Sequence, residues 1–121
     1  MKKILIIDDI EANLKVLRLL LNRVDSYDID SFTKPQEAVE QIKKQKYNYI
    51  LTDYMMPYVT GEKIVEEVRN STINKYTKIA IKSANAEDIV ITSLILRYDN
   101  ITVIPKPINK EMLNSFLKEE S

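Results

Sequence analysis

Short β-rich runs and helical stretches alternate along this chain almost without interruption, and that alternation constrains the fold more than any other feature. The runs fall at 3–8, 27–32, 48–53, 77–83 and 101–105, and helical spacing occupies 10–23, 35–46, 60–70, 86–97 and 108–119. Runs such as "ILII" and "IAI" are apolar on consecutive residues, the pattern of strands covered on both faces. Leu14, Leu17, Leu21 and Val24 line one side of the first helix, as Met112, Leu113, Phe116 and Leu117 do on the last. Pro35 suits a first helical turn, with Thr33 before it as a candidate cap. Five such units predict an α/β fold: a (βα)5 doubly wound, parallel, five-stranded sheet in the flavodoxin-like order 2-1-3-4-5. Pro105 supports that order independently. Proline is tolerated in an edge strand, and the fifth strand is an edge in it.

At 121 residues the chain makes one domain, expected to span 1–121. Eighteen basic and eighteen acidic residues cancel, so no net charge steers it to nucleic acid or an anionic membrane. The apolar stretch of "MKKILII" is far shorter than the roughly 7–15 residues of a secretory core, and nothing approaches the ~18 of a membrane span. A cytoplasmic protein is the expectation, and the lack of cysteine fits a reducing compartment. The single glycine, Gly61, closes both glycine-rich routes to nucleotide binding. The chain also has no histidine, so any phosphohistidine must belong to another molecule.

In a parallel sheet the carboxyl ends of the strands share one edge. Asp8 and Asp9 follow "ILII", Asp53 follows "YILT", and Lys106 follows "ITVIP", so three carboxylates and an ammonium are expected at one place. A carboxylate after a strand also caps the next helix, and that reading stands beside the functional one for Asp8 and Asp9. The functional reading is a magnesium site, which wants oxygen ligands and few carboxylates. In "DYMMPYVTG", Pro57 and Gly61 shape the loop so that Asp53 can face the acidic pair. A cation there relieves carboxylate repulsion and leaves Asp53 able to attack phosphorus. Ser83 ends "KIAIKS" on the neighbouring strand, where a hydroxyl can donate to a phosphoryl oxygen or serve a turn. The stretch 86–97 carries Ile89, Val90, Ile91, Leu94, Ile95 and Leu96 on all its sides. Either it is covered all round or its outer face meets a partner.

Taken together, the Asp8–Asp9 pair, "DYMMP" with Gly61, "KSA" on the fourth strand and Lys106–Pro107 resemble the receiver domain of two-component response regulators, across essentially the whole chain. The resemblance implies a phosphoacceptor rather than a conventional enzyme. Asp53 would take a phosphoryl group from the phosphohistidine of a sensor histidine kinase or a histidine phosphotransfer protein. Asp9, Asp53 and the Met55 carbonyl would hold Mg2+ directly, with Asp8 acting through water. Lys106, the Ser83 hydroxyl and the Ala84 amide would contact the phosphoryl group, and the Lys106–Pro107 bond would be cis. A downstream protein or a second copy of the chain would dock on the 86–119 face.

Two positions depart from the usual pattern. Val103 stands where relatives place an aromatic that moves inward, which predicts a weaker or differently routed switch. Met55 offers a thioether beside the phosphoryl group, which predicts slow self-dephosphorylation. A start at Met1 suits a stand-alone regulator, although a receiver cut from a larger regulator or hybrid kinase would read the same. The rival in a different class is a small magnesium-dependent phosphatase of the haloacid-dehalogenase type. That family carries D-x-D on its first strand, whereas this chain has adjacent aspartates.

Overall fold

The computed structural model describes residues 1–85 and 88–118. Its strands β1 (Lys2–Ile7), β2 (Tyr27–Phe32), β3 (Tyr49–Asp53), β4 (Lys78–Ser83) and β5 (Ile101–Pro105) form one sheet. All four pairings are parallel and the order is β2-β1-β3-β4-β5, as the alternation and Pro105 predicted. Between and after them run α1 (Glu11–Val24), α2 (Pro35–Lys44), α3 (Gly61–Asn70), α4 (Ile89–Arg97) and α5 (Lys110–Leu117).

The period of two along each strand sorts the core into two layers. Leu5, Ile7, Ile50, Ile79 and Ile81 face α2, α3 and α4, where they meet Ala38, Ile42, Ile64, Val65, Val68 and Leu94. Ile4, Ile6, Tyr49, Leu51 and Ala80 face α1 and α5, meeting Leu14, Leu17, Leu21, Leu113, Phe116 and Leu117. Each fully buried Leu or Ile of these layers contributes about 1.5–3 kcal/mol over leaving it exposed.

Helix starts follow cap chemistry. Thr60, Asp88 and Asn109 accept side-chain bonds from the amides of Lys63, Val90 and Met112. At α2 the expectation for Thr33 fails: Lys34 is the cap residue, with no side-chain bond. Its carbonyl already accepts from Ala38 at 3.3 Å, leaving Thr33 one residue outside while Pro35 opens the helix as expected. Helix α4 is not covered all round. Ile91 and Leu94 are buried, while Ile89 and Leu96 are 82% and 83% exposed. Residues 86, 87 and 119, where the fourth and fifth helical stretches were expected to begin and end, lie outside the described residues. No described helix is long and apolar enough to cross a membrane.

Candidate functional site

Register delivers the acidic cluster. Ile7 pairs with Thr52 across β1 and β3, so the next residues, Asp8 and Asp53, emerge side by side at the carboxyl edge. Among the described residues, Asp8, Asp9 and Asp53 form one group whose carboxylate oxygens lie within 4.8 Å of one another. Asp8 and Asp53 are buried and Asp9 is half-buried.

Asp53 is held from several sides. Its strand neighbour Thr52 donates to the Asp53 carbonyl at 3.0 Å, and the Tyr54 amide donates to Lys82 O at 3.0 Å. Gly61 N donates to Tyr54 O at 2.8 Å, closing the loop back on the strand end. A Cβ on Gly61 would sit 2.9 Å from Tyr54 Cα and 3.0 Å from Asp53 O, so only glycine fits this approach of helix to strand. The Tyr58 backbone in that loop is left-handed, at φ 69°. Burial, with Asp88 and Glu62 nearby, raises the Tyr54 phenol above its ordinary range, so the ring beside Asp53 stays neutral.

Lys106 Nζ lies 2.7 Å from Asp53 Oδ1. This buried oxygen is held by that ion pair alone, with no further hydrogen-bond partner among the described residues. The lysine is placed by β5, whose end is tied to β4 through Lys106 N donating to Ser83 O at 3.0 Å. The Lys106–Pro107 bond is cis, as the resemblance implied. Ser83 is buried and its hydroxyl is engaged in a turn, accepting from Asn85 N at 3.0 Å. Ala84 and Met55 are exposed, Met55 by 69%. An all-oxygen donor set, one buried oxygen of which is held by an ion pair alone, suits a hard cation such as magnesium.

Asp8 does not cap α1, whose cap residue is Ile10 with no side-chain cap bond; it stands two residues before that cap. Its Oδ1 accepts from Ile10 N at 2.9 Å, a local turn bond, while the carboxylate also belongs to the cluster. Sequence reasoning missed its other partners. Asn13 Nδ2 donates to both oxygens, at 3.4 and 3.2 Å, and Lys82 Nζ donates to Oδ2 at 2.6 Å. The available signal was parity: Lys82 shares the face of Ala80 on a strand covered on both sides, so its ammonium needs a buried partner.

Residues 4–118 match the family model described as response regulator receiver domain. The chain belongs to that family, the receiver domains of two-component systems. It is 29% identical over 113 residues to the 3',5'-cyclic-nucleotide phosphodiesterase regA of Dictyostelium discoideum, covering 92% of this chain and 14% of that protein. It is 33% identical over 86 residues to the transcriptional regulatory protein ResD of Bacillus subtilis, covering 71% of this chain and 34% of that one. The chain thus spans a minor part of both relatives. Among solved structures, chemotaxis protein CheY4 of Vibrio cholerae superposes with a TM-score of 0.85 at 24% identity, covering 97% and 96% of the two chains. The receiver domain of sensor histidine kinase PA1611 from Pseudomonas aeruginosa gives 0.83 at 23% identity over 96% and 93%. That structure has a magnesium ion coordinated in its active-site cleft. At these identities the two structures speak for the fold.

Proposed function

We propose that this domain is a phosphoacceptor switch: Asp53 takes a phosphoryl group from the phosphohistidine of a sensor kinase or phosphotransfer protein, and the modified domain signals by docking to another protein in the cytoplasm. The observation that carries the reading is Asp53 itself, a buried strand-end carboxylate set beside two carboxylates and ion-paired with Lys106 at 2.7 Å. In the transfer, an Asp53 carboxylate oxygen forms the new P–O bond as the P–N bond of the donor breaks. The electron pair leaves with the donor's imidazole nitrogen, and since these 121 residues hold no histidine that imidazole lies outside this domain.

Asp9, Asp53 and the Met55 carbonyl would hold Mg2+, with Asp8 acting through water; bound there, the ion supplies neutralising charge. Lys106 pairs with the Asp53 carboxylate beforehand and with phosphoryl oxygens afterwards. Ser83 leaves its turn with Asn85 to donate to the phosphoryl group, and the Ala84 amide adds a second donor. The product gains about −1.5 to −2 charge and three acceptor oxygens. Met55, exposed at the mouth, leaves an attacking water poorly oriented, so the phosphoryl group decays slowly. Met55→Asn changes the decay rate on this account; an unchanged rate contradicts the role of Met55.

Intact mass after incubation with acetyl phosphate and magnesium tests the central step. A gain of about 80 Da that requires magnesium and disappears in Asp53→Asn is expected. An equal gain in Asp53→Asn overturns the assignment.

A further inference from the structure

Among the described residues Lys82 is the only buried lysine, with a side chain 6% exposed, and its ion pair with Asp8 is 2.6 Å long. Asp53 pairs in register with Lys82 across β3 and β4, so Lys82 stands on the second strand from β1 and reaches past β3, a span of about 10 Å at ordinary strand spacing, to meet Asp8. Asp8 is thereby consumed internally: Oδ1 is taken by Ile10 N and Asn13, and Oδ2 by Asn13 and Lys82. With Lys106 on Asp53, two ammonium groups already stand against the three carboxylates of the cluster.

We propose that Lys82 is a built-in counter-ion that occupies Asp8 and sets the affinity of the acidic cluster for magnesium, holding it weaker than the carboxylates alone would give. The inference rests on the reading that Asp8, Asp9 and Asp53 serve a magnesium ion. A dication entering the cluster meets the repulsion of a buried ammonium in a region of reduced dielectric. It must also draw on a carboxylate whose two oxygens already have partners. In exchange, the cluster is stable without metal, because Lys82 offsets the repulsion that three adjoining carboxylates would otherwise impose. Lys82 acts by its charge as well as by its hold on Asp8, without touching the metal itself, which makes it a positioning residue.

A lysine that merely fills space makes the opposite prediction, since removing it would distort Asp8 and weaken metal binding or leave it unchanged. Isothermal titration with magnesium chloride separates the two. Lys82→Met and Lys82→Gln are expected to bind magnesium about tenfold more tightly or better, and their melting temperatures to become more dependent on magnesium. Lys82→Arg keeps the charge, and a cavity of about 400 Å3 lined by Asn13, Leu17, Lys82, Lys106 and Pro107 has room for the larger head, so its affinity stays near wild type. Removing Lys82 alone leaves Asp8 buried without its ammonium, which threatens folding. The same comparison is therefore made between Asp8→Asn and Asp8→Asn/Lys82→Met, where the double variant is expected to bind more tightly. No tightening in either comparison, with binding still lost in Asp9→Asn, overturns the counter-ion role and leaves the metal site standing. No magnesium heat from any protein, wild type included, overturns both.

Discussion

Helices α3 and α4 lie against the same face of the sheet, yet one is fastened to the candidate site and the other is barely held. Helix α3 buries Ile64, Val65 and Val68, is capped by Thr60, and opens on the glycine that touches the Asp53 strand end. Its last turn carries Arg69, whose guanidinium donates to the carbonyls of Thr77 at 2.8 Å and Asp99 at 2.7 Å, pinning the helix to the turns before β4 and β5. Helix α4 buries only Ile91 and Leu94 and leaves Ile89 and Leu96 in solvent. Its link to α3 includes a surface pair, Arg97 to Glu66 at 3.6 Å, of the kind that contributes little. The difference teaches where a charge change can be expressed. Regions with few buried contacts open at low free-energy cost, so on the proposed function a charge added at Asp53, on the strand end that α3 anchors, would be read out on the α4 side.

The largest expected effect contrasts the two helices directly. Ile64→Ala leaves a cavity in the covered core and should cost about 2–5 kcal/mol in urea unfolding. Leu96→Ala, on the exposed side of α4, should change stability by about 0.5 kcal/mol or less. Equal losses would break the comparison. Gly61→Ala is next: its Cβ forces apart the helix start and the Asp53–Tyr54 backbone, so we expect a loss of about 1–3 kcal/mol together with slower labelling by acetyl phosphate. Normal labelling in that variant would separate the α3 anchor from the site. The smallest effect concerns Val103, half-buried on β5. Amide exchange with and without beryllium fluoride should change little on β5 in the wild type and more in Val103→Tyr, since a ring can swing between buried and exposed poses where a valine cannot. A large wild-type change on β5 would refute the weak coupling.

Strand order, helix order and the meeting of Asp8, Asp9, Asp53 and Lys106 were legible because they follow from alternation and from the shared edge of a parallel sheet. Boundaries were less so. The first strand stops at Ile7 rather than Asp8, and the fourth begins at Lys78 rather than residue 77. Hydrophobic pattern marks where a strand is covered, while hydrogen bonding decides where it ends. The missed partner is more instructive. Lys82 and Asp8 lie 74 positions apart, and nothing local in "KIAIKS" distinguishes a buried lysine from a polar strand end. The pairing becomes visible only once β1, β3 and β4 are adjacent and the parity of Ala80 is carried two residues on. Thr33 was misread for a similar reason: cap chemistry is shared by neighbouring residues, and the first intrahelical bond, Ala38 to Lys34, decides between them.

The account's central claim is that Asp53 carries the phosphoryl group, and reductive trapping reads the position without a substitution. After treatment with acetyl phosphate and magnesium, borohydride converts an aspartyl phosphate to an alcohol, and peptide mapping locates the reduced residue. The account predicts reduction at position 53 alone, dependent on magnesium. Reduction at Asp8 or Asp9 instead, or labelling that survives without any reducible acyl phosphate, would contradict it.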